Sequence, residues 1–186
     1  MLQDTQLMMP RLFALFLLTS CALADQNDPR LNDLFEQLRS SPDPEASHHI
    51  ESMIWAVWLS HDDPAIEQLL QQGISAMNQG DYPAAVELFS EITTRDANFA
   101  EGWNKRATVY YLQNDLTASM HDVQRTLALE PRHFGALAGL GLIFTTTGDL
   151  PAAIRAYQDV LRIHPQSIGA RVNIEQLQQT LRKNII

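Results

Sequence analysis

The chain holds six histidines and one cysteine, the side chains best suited to metal or nucleophilic chemistry. His48, His49 and His61 lie close in sequence to Asp62 and Asp63, a donor set that invites a metal ion and with it a metal-dependent hydrolase. The spacing argues against that reading. A metal site fixes its ligands on one helical face or across elements, whereas adjacent His48 and His49 point about 100° apart on a helix. His121, His133 and His164 are scattered further along, at unrelated phases of the pattern described below. No His-Glu-x-x-His, phosphate-binding glycine loop or nucleophile elbow occurs. The three early histidines therefore read as solvated surface. No catalytic residue, metal or cofactor is expected, and the chain reads as a non-enzyme.

Cys21 is the one cysteine, so the chain has no cysteine pair for a disulfide. It follows the apolar run Leu12–Leu18, which stands behind Arg11. That run is too short to cross a bilayer as a helix, which needs about 20 residues. It reads as the core of a secretory signal, with Met1, Met8 or Met9 as the start. Two cleavage readings stay open. Ala22-Leu23-Ala24 is a small-residue site that would leave a soluble chain from Asp25, with residues 1–24 removed. Leu18-Thr19-Ser20-Cys21 resembles a bacterial lipobox, which would remove residues 1–20 and place a lipid on Cys21. A membrane association would run only through that lipid. Either reading puts the protein in the periplasm or elsewhere in the bacterial envelope.

The elements that must carry any function repeat with a shift of 34 residues. Gly80-Asp81-Tyr82, Asn114-Asp115-Leu116 and Gly148-Asp149-Leu150 share one register; Leu69, Trp103 and Leu137 share another; Gly73, Ala107 and Gly141 a third; Ala97, Pro131 and Pro165 a fourth. A period of 34 marks stacked helix–turn–helix units. Gly80, Asn114 and Gly148 suit a left-handed helix end, and the aspartates after them suit the cap of the next helix. Pro83 and Pro151 fall at helix starts, where a missing N–H costs little. Gly73, Ala107, Gly141, Ala85, Ser119 and Ala153 let helix backbones approach. Trp103, Tyr110, Phe144, Phe89 and Tyr157 fill the remaining space. Arg106 interrupts the apolar pattern and must snorkel to solvent or pair with a carboxylate, for which Glu101 and Asp122 are the candidates.

The blocks Leu137-x2-Leu140-Gly141-x2-Phe144, Ala153-x3-Tyr157 and Pro165 resemble the tetratricopeptide repeat family. The second block, from Trp103 to Pro131, is similar, and the first, from Leu69 to Ala97, is more degenerate. The resemblance implies an all-α, right-handed superhelical solenoid of antiparallel helix pairs. Three repeats fall at about 66–99, 100–133 and 134–167 within residues 64–183, where a capping helix carrying Ile168, Val172, Ile174, Leu177 and Leu181 completes the stack. Residues 184–186 form a tail. Residues 25–63 form an N-terminal extension of two helices, one with Leu31, Leu34, Phe35 and Leu38, the other with Ile50, Met53, Ile54, Val57 and Trp58. Trp55 and Trp58 are expected to pack against the first repeat and cover the end of the solenoid.

Charge narrows the partners. The chain has 186 residues and a net charge of −9, most of it between residues 25 and 64. No basic face exists, so nucleic acid is not a partner. The acidic segment reads as solvated surface. In the family this chain resembles, the first helix of each pair lines a concave groove that holds a peptide or a partner's helix. The matching positions here are Leu70, Ile74 and Met77; Asn104, Thr108 and Tyr111; and Ala138, Leu142 and Thr145. Spacings of four and three place each trio on one face. The Asn104 amide is a candidate for holding a peptide backbone. The expected function is a non-catalytic adaptor or scaffold for another protein or peptide, with the hydrolase and a purely structural assembly subunit as alternatives.

Overall fold

The computed structural model describes residues 25–183, which are helical with no strand. The expected signal segment with Cys21 and the tail 184–186 lie outside the described residues. The described helices are α1 (Arg30–Ser40), α2 (Pro44–Trp58), α3 (Pro64–Asn78), α4 (Tyr82–Arg95), α5 (Ala100–Leu112), α6 (Leu116–Leu129), α7 (Phe134–Thr147), α8 (Leu150–Ile163) and α9 (Ile168–Lys183). Helices α3 and α4, α5 and α6, and α7 and α8 form three pairs, and α9 packs on α8.

Each hairpin turn is made by a left-handed residue followed by an aspartate. Gly80, Asn114 and Gly148 take φ of 78°, 61° and 83°, the left-handed region that favours Gly and Asn. Asp81, Asp115 and Asp149 then accept hydrogen bonds from the backbone N–H three residues on, which caps α4, α6 and α8. Within pairs, a methyl added to Gly141 would sit 2.7 Å from Cζ of Tyr157, and one added to Gly73 would overlap the Phe89 ring. Ser119 holds the second pair by donating to the Ala107 carbonyl at 2.8 Å. Arg106 resolves to Asp122, which it grips with two hydrogen bonds at 2.7 and 3.1 Å, while its third nitrogen donates to Ser90 and Thr93 of α4. Helix α9 presents Arg171 and Glu175 where α7, one period earlier, presents Leu137 and Gly141.

The extension does not cover the first repeat, contrary to expectation. Helices α1 and α2 share one core with α7, α8 and α9, in which Leu31, Phe35, Ile54 and Trp58 meet Phe134, Tyr157 and Leu177. The hairpin runs along the edge made by the two loops that join one pair to the next and the loop that joins the third pair to α9. Before it, Gln26 donates to the Asn98 carbonyl and accepts from Ala100 N–H in the first loop. At the second, Arg132 donates to Asn32 and lies 4.3 Å from the Phe35 ring. At the third, Ser47 bonds His164 at 2.9 Å. The reason for this docking is steric. Gly135 follows Glu101 by one repeat period, and a methyl there would sit 2.7 Å from Trp55. Only the third repeat leaves room for that indole.

Candidate binding groove

Helices α3, α5, α7 and α9 stand side by side on one face of the stack, and α5, α7 and α9 carry its open crevices. Between α5 and α7 lies a crevice of about 60 Å³ lined by Asn104, Thr108, Tyr111 and Leu142, with Gly135 and Gly139 as its thin wall. Leu142 also belongs to a second crevice of about 170 Å³, shared with Ala138, Tyr157, Gly169 and Asn173. The two crevices meet at Leu142. Of the expected positions, the structure therefore brings together Asn104, Thr108, Tyr111, Ala138 and Leu142. Gly135, Gly139, Gly169 and Asn173 had not been anticipated; the last two follow the first two by 34 residues, whereas the expected trios extended onto α9 would have pointed to Val172, Gln176 and Gln179.

The first trio behaves differently. Leu70 is 0% exposed and belongs to a core with Ile66, Phe89 and Ile92, so it cannot meet a ligand. Ile74 and Met77 are half-buried against that same core and line neither crevice. Thr145 is exposed, but its hydroxyl donates to the Gly141 carbonyl within its own helix. Thr108 does the same to Asn104 at 3.0 Å. Tyr111 reaches across the groove, its hydroxyl 3.1 Å from the Thr146 hydroxyl.

Below the groove floor is a buried charge cluster. Glu101 is 1% exposed. Its carboxylate meets Lys105 Nζ at 3.0 Å and accepts from His133 Nε2 at 2.9 Å and from Asn104 Nδ2 at 3.0 Å. His133 Nδ1 accepts from Ala136 N–H and caps α7, so the ring proton sits on Nε2 and points at Glu101. Burial opposes ionisation of Glu101, but the attraction of Lys105 and the bond from His133 outweigh it and hold the carboxyl below the usual range. The Asn104 side chain thus donates one amide N–H to Glu101, because the helix places a carboxylate one turn before it. Trp58 stacks on His133 at 4.0 Å, and Trp55 lies under Lys105 at 5.4 Å. The extension is therefore wired to the groove through this cluster.

Among the described residues no three His, Cys, Asp or Glu side chains gather in a metal-binding arrangement. His48 and His49 are exposed as expected. His61 is not solvated: its ring packs on Phe99 and its Nε2 bonds Asp96 at 3.1 Å.

The model of the tetratricopeptide repeat matches residues 70–128 and 121–168. A TPR repeat-containing protein of Rhizobium etli is 32% identical over 155 residues, covering 83% of this chain and 76% of that protein. Among solved structures, the first TPR of Spaghetti (RPAP3) bound to the HSP90 peptide SRMEEVD superimposes with a TM-score of 0.62 at 21% identity, covering 65% of this chain and 96% of that one. MamA superimposes with a TM-score of 0.58 at 24% identity, covering 79% of this chain and 78% of that one.

Proposed function

The chain belongs to the tetratricopeptide repeat family, and from that premise we propose that it is a non-catalytic adaptor that holds a partner protein's segment in the groove of α5, α7 and α9. One observation carries the reading. The most exposed large apolar side chains among the described residues are Leu112, Leu142, Ile168 and Val172, between 39% and 64% exposed. All four lie on α5, α7 and α9, and none on α4, α6 or α8. Leu142 lines both crevices, and exposed apolar surface rimmed by polar residues is the mark of an interaction site. Tyr111 adds a large ring with a polar tip, a common anchor at interfaces.

The partner segment is neutral and apolar. The peptide bound to Spaghetti carries acidic residues at its end. Here the cation beside the groove, Lys105, is committed to Glu101, which also takes one N–H of the Asn104 amide. A ligand carboxylate would have to break that cluster. A photo-crosslinking residue placed at Leu142 should capture a partner, while one at exposed Gln124 on α6 should not, and Tyr111→Ala should lower the yield at Leu142. Equal capture at both places would refute the groove.

We also propose that the protein acts in the bacterial cell envelope. The support is the Leu12–Leu18 run followed by Cys21 and Ala22-Leu23-Ala24, together with a bacterial relative. Intact mass from an envelope fraction tests it. A chain starting at Asp25 marks the soluble form, a lipid-modified Cys21 the anchored form, and an uncleaved chain in the cytoplasm refutes both.

A further inference from the structure

A histidine stands at each of the three loops that the N-terminal extension crosses. At the first loop, His61 of the extension bonds Asp96. At the second, His133 stacks on Trp58. At the third, Nε2 of His164 bonds the Ser47 hydroxyl near the start of α2. The three contacts differ in what a proton would do to them. His61 faces the Asp96 carboxylate. His133 faces Glu101, with Lys105 beside the same carboxylate, and its Nδ1 is occupied by the Ala136 N–H. His164 faces a neutral hydroxyl and is 5% exposed.

We propose that the α1–α2 hairpin is a pH-gated strap, hinged at His61 and latched at His164, that lifts from the solenoid edge when His164 takes up a proton. The surroundings of the latch decide its sign. From α2, His48 and Glu51 face the ring; Glu51 favours a proton and His48, once charged, repels one. From α7 it meets only the edge of Phe134, at 5.6 Å. Arg171 of α9 donates to Pro165 and Gln166 of the same loop, and Arg162 of α8 is paired with Asp159. Burial is the largest influence, and the ring is held below the ordinary histidine range. A histidine depressed in the docked state stabilises docking fully above its free value of 6.5, and that contribution is lost as the pH falls through the docked value.

Lifting the strap would take Trp55 off Lys105 and off Gly135, which lines the first crevice. The device is thus placed to alter the groove, yet it can be tested without any partner. Amide hydrogen exchange of residues 44–58, corrected for the intrinsic rate, should be compared at about pH 7.5 and about pH 5.5, on either side of an ordinary histidine. Protection of α2 should fall up to tenfold for each pH unit through which the latch titrates, while α6 keeps its protection. His164→Asn keeps a polar group at the latch but cannot take up the proton, and should abolish the pH response. Ser47→Ala removes the same hydrogen bond and leaves the titrating ring, and should keep the response on a weaker strap. The proposal is overturned if α2 and α6 respond alike, if α2 does not respond, or if His164→Asn responds as the wild type does.

Discussion

Two neighbouring residues of α5, Lys105 and Arg106, point about 100° apart on the helix and enter separate buried charge clusters that serve different joints. Arg106 binds Asp122 of α6 in a two-pronged grip and also holds Ser90 and Thr93 of α4. It bolts one repeat to the next. Lys105 binds Glu101, which also holds His133 and Asn104, and both lysine and histidine are covered by tryptophans of α2. It bolts the extension to the groove. The difference lies in access. The first cluster is sandwiched between three solenoid helices. The second has on one side the α1–α2 hairpin, which belongs to no repeat. A charge pair of one kind therefore holds the solenoid, and of the other kind holds an accessory.

The sharpest way to break this comparison is Asp122→Ala. It leaves Arg106 half-buried and unpaired between Trp103 and Tyr110. Removing one partner of a buried pair costs about 3–5 kcal/mol. Chemical denaturation should show that loss in the main unfolding transition. A variant as stable as wild type would mean that Arg106 escapes to solvent and bolts nothing.

Glu101→Gln comes next and should act more locally. The amide keeps the shape but loses the charge that Lys105 and His133 share. Leaving such groups mismatched costs about 1–3 kcal/mol. Hydrogen exchange should place the loss in α1, α2 and the first turn of α7, with α4 and α6 little changed. Equal loss in α4 would mean that the second cluster also holds the solenoid. The same carboxylate gives a pH signature. Its folded value is depressed, so its stabilisation is complete above its free value of 4.5 and is lost as the pH falls through the folded value. Acid titration of the wild type should show hairpin loosening in that range, and Glu101→Gln should lack it. An identical acid profile in both would remove Glu101 from the account.

The sequence made one of these joints visible and hid the other, for a physical reason. The solenoid repeats its chemistry every 34 residues, so Gly80, Asn114 and Gly148 announce the turns and Gly73 and Gly141 the close approaches before any coordinates are seen. Arg106 stood out as a break in that pattern, with Glu101 and Asp122 as its two possible partners. Helical spacing decides between them: Glu101 is one turn before Lys105, not before Arg106. The hairpin has no repeat to be measured against. Its contacts join Gln26 to Asn98, Asn32 to Arg132 and Ser47 to His164, across 72 to 117 positions. The expectation that Trp55 would cover the first repeat failed because the deciding feature was a missing side chain at Gly135. The groove shows the same limit. Leu70, Asn104 and Ala138 share one register, yet one is core, one is bound to a carboxylate and one is a crevice wall. Register fixes the direction of a side chain, while its cover comes from neighbours distant in sequence.

The smallest effect on stability should come from Tyr111→Ala, which separates the groove from both clusters. Tyr111 touches neither cluster in the hydrogen-bond network. Its hydroxyl meets Thr146, whose own hydroxyl already has the Leu142 carbonyl. Its ring is partly exposed at the mouth of the crevice, so truncation opens a space that water can enter. A surface change of that kind is usually within about 0.5 kcal/mol. Partner capture is a different matter. An aromatic anchor at the centre of an interface costs about 2 kcal/mol or more when truncated, which is about a thirtyfold loss of affinity. The variant should melt with the wild type and lose its partner. If it keeps the partner while Glu101→Gln loses it, the binding surface is the hairpin edge and not the concave groove. That outcome would reverse the comparison, making the accessory joint the functional one.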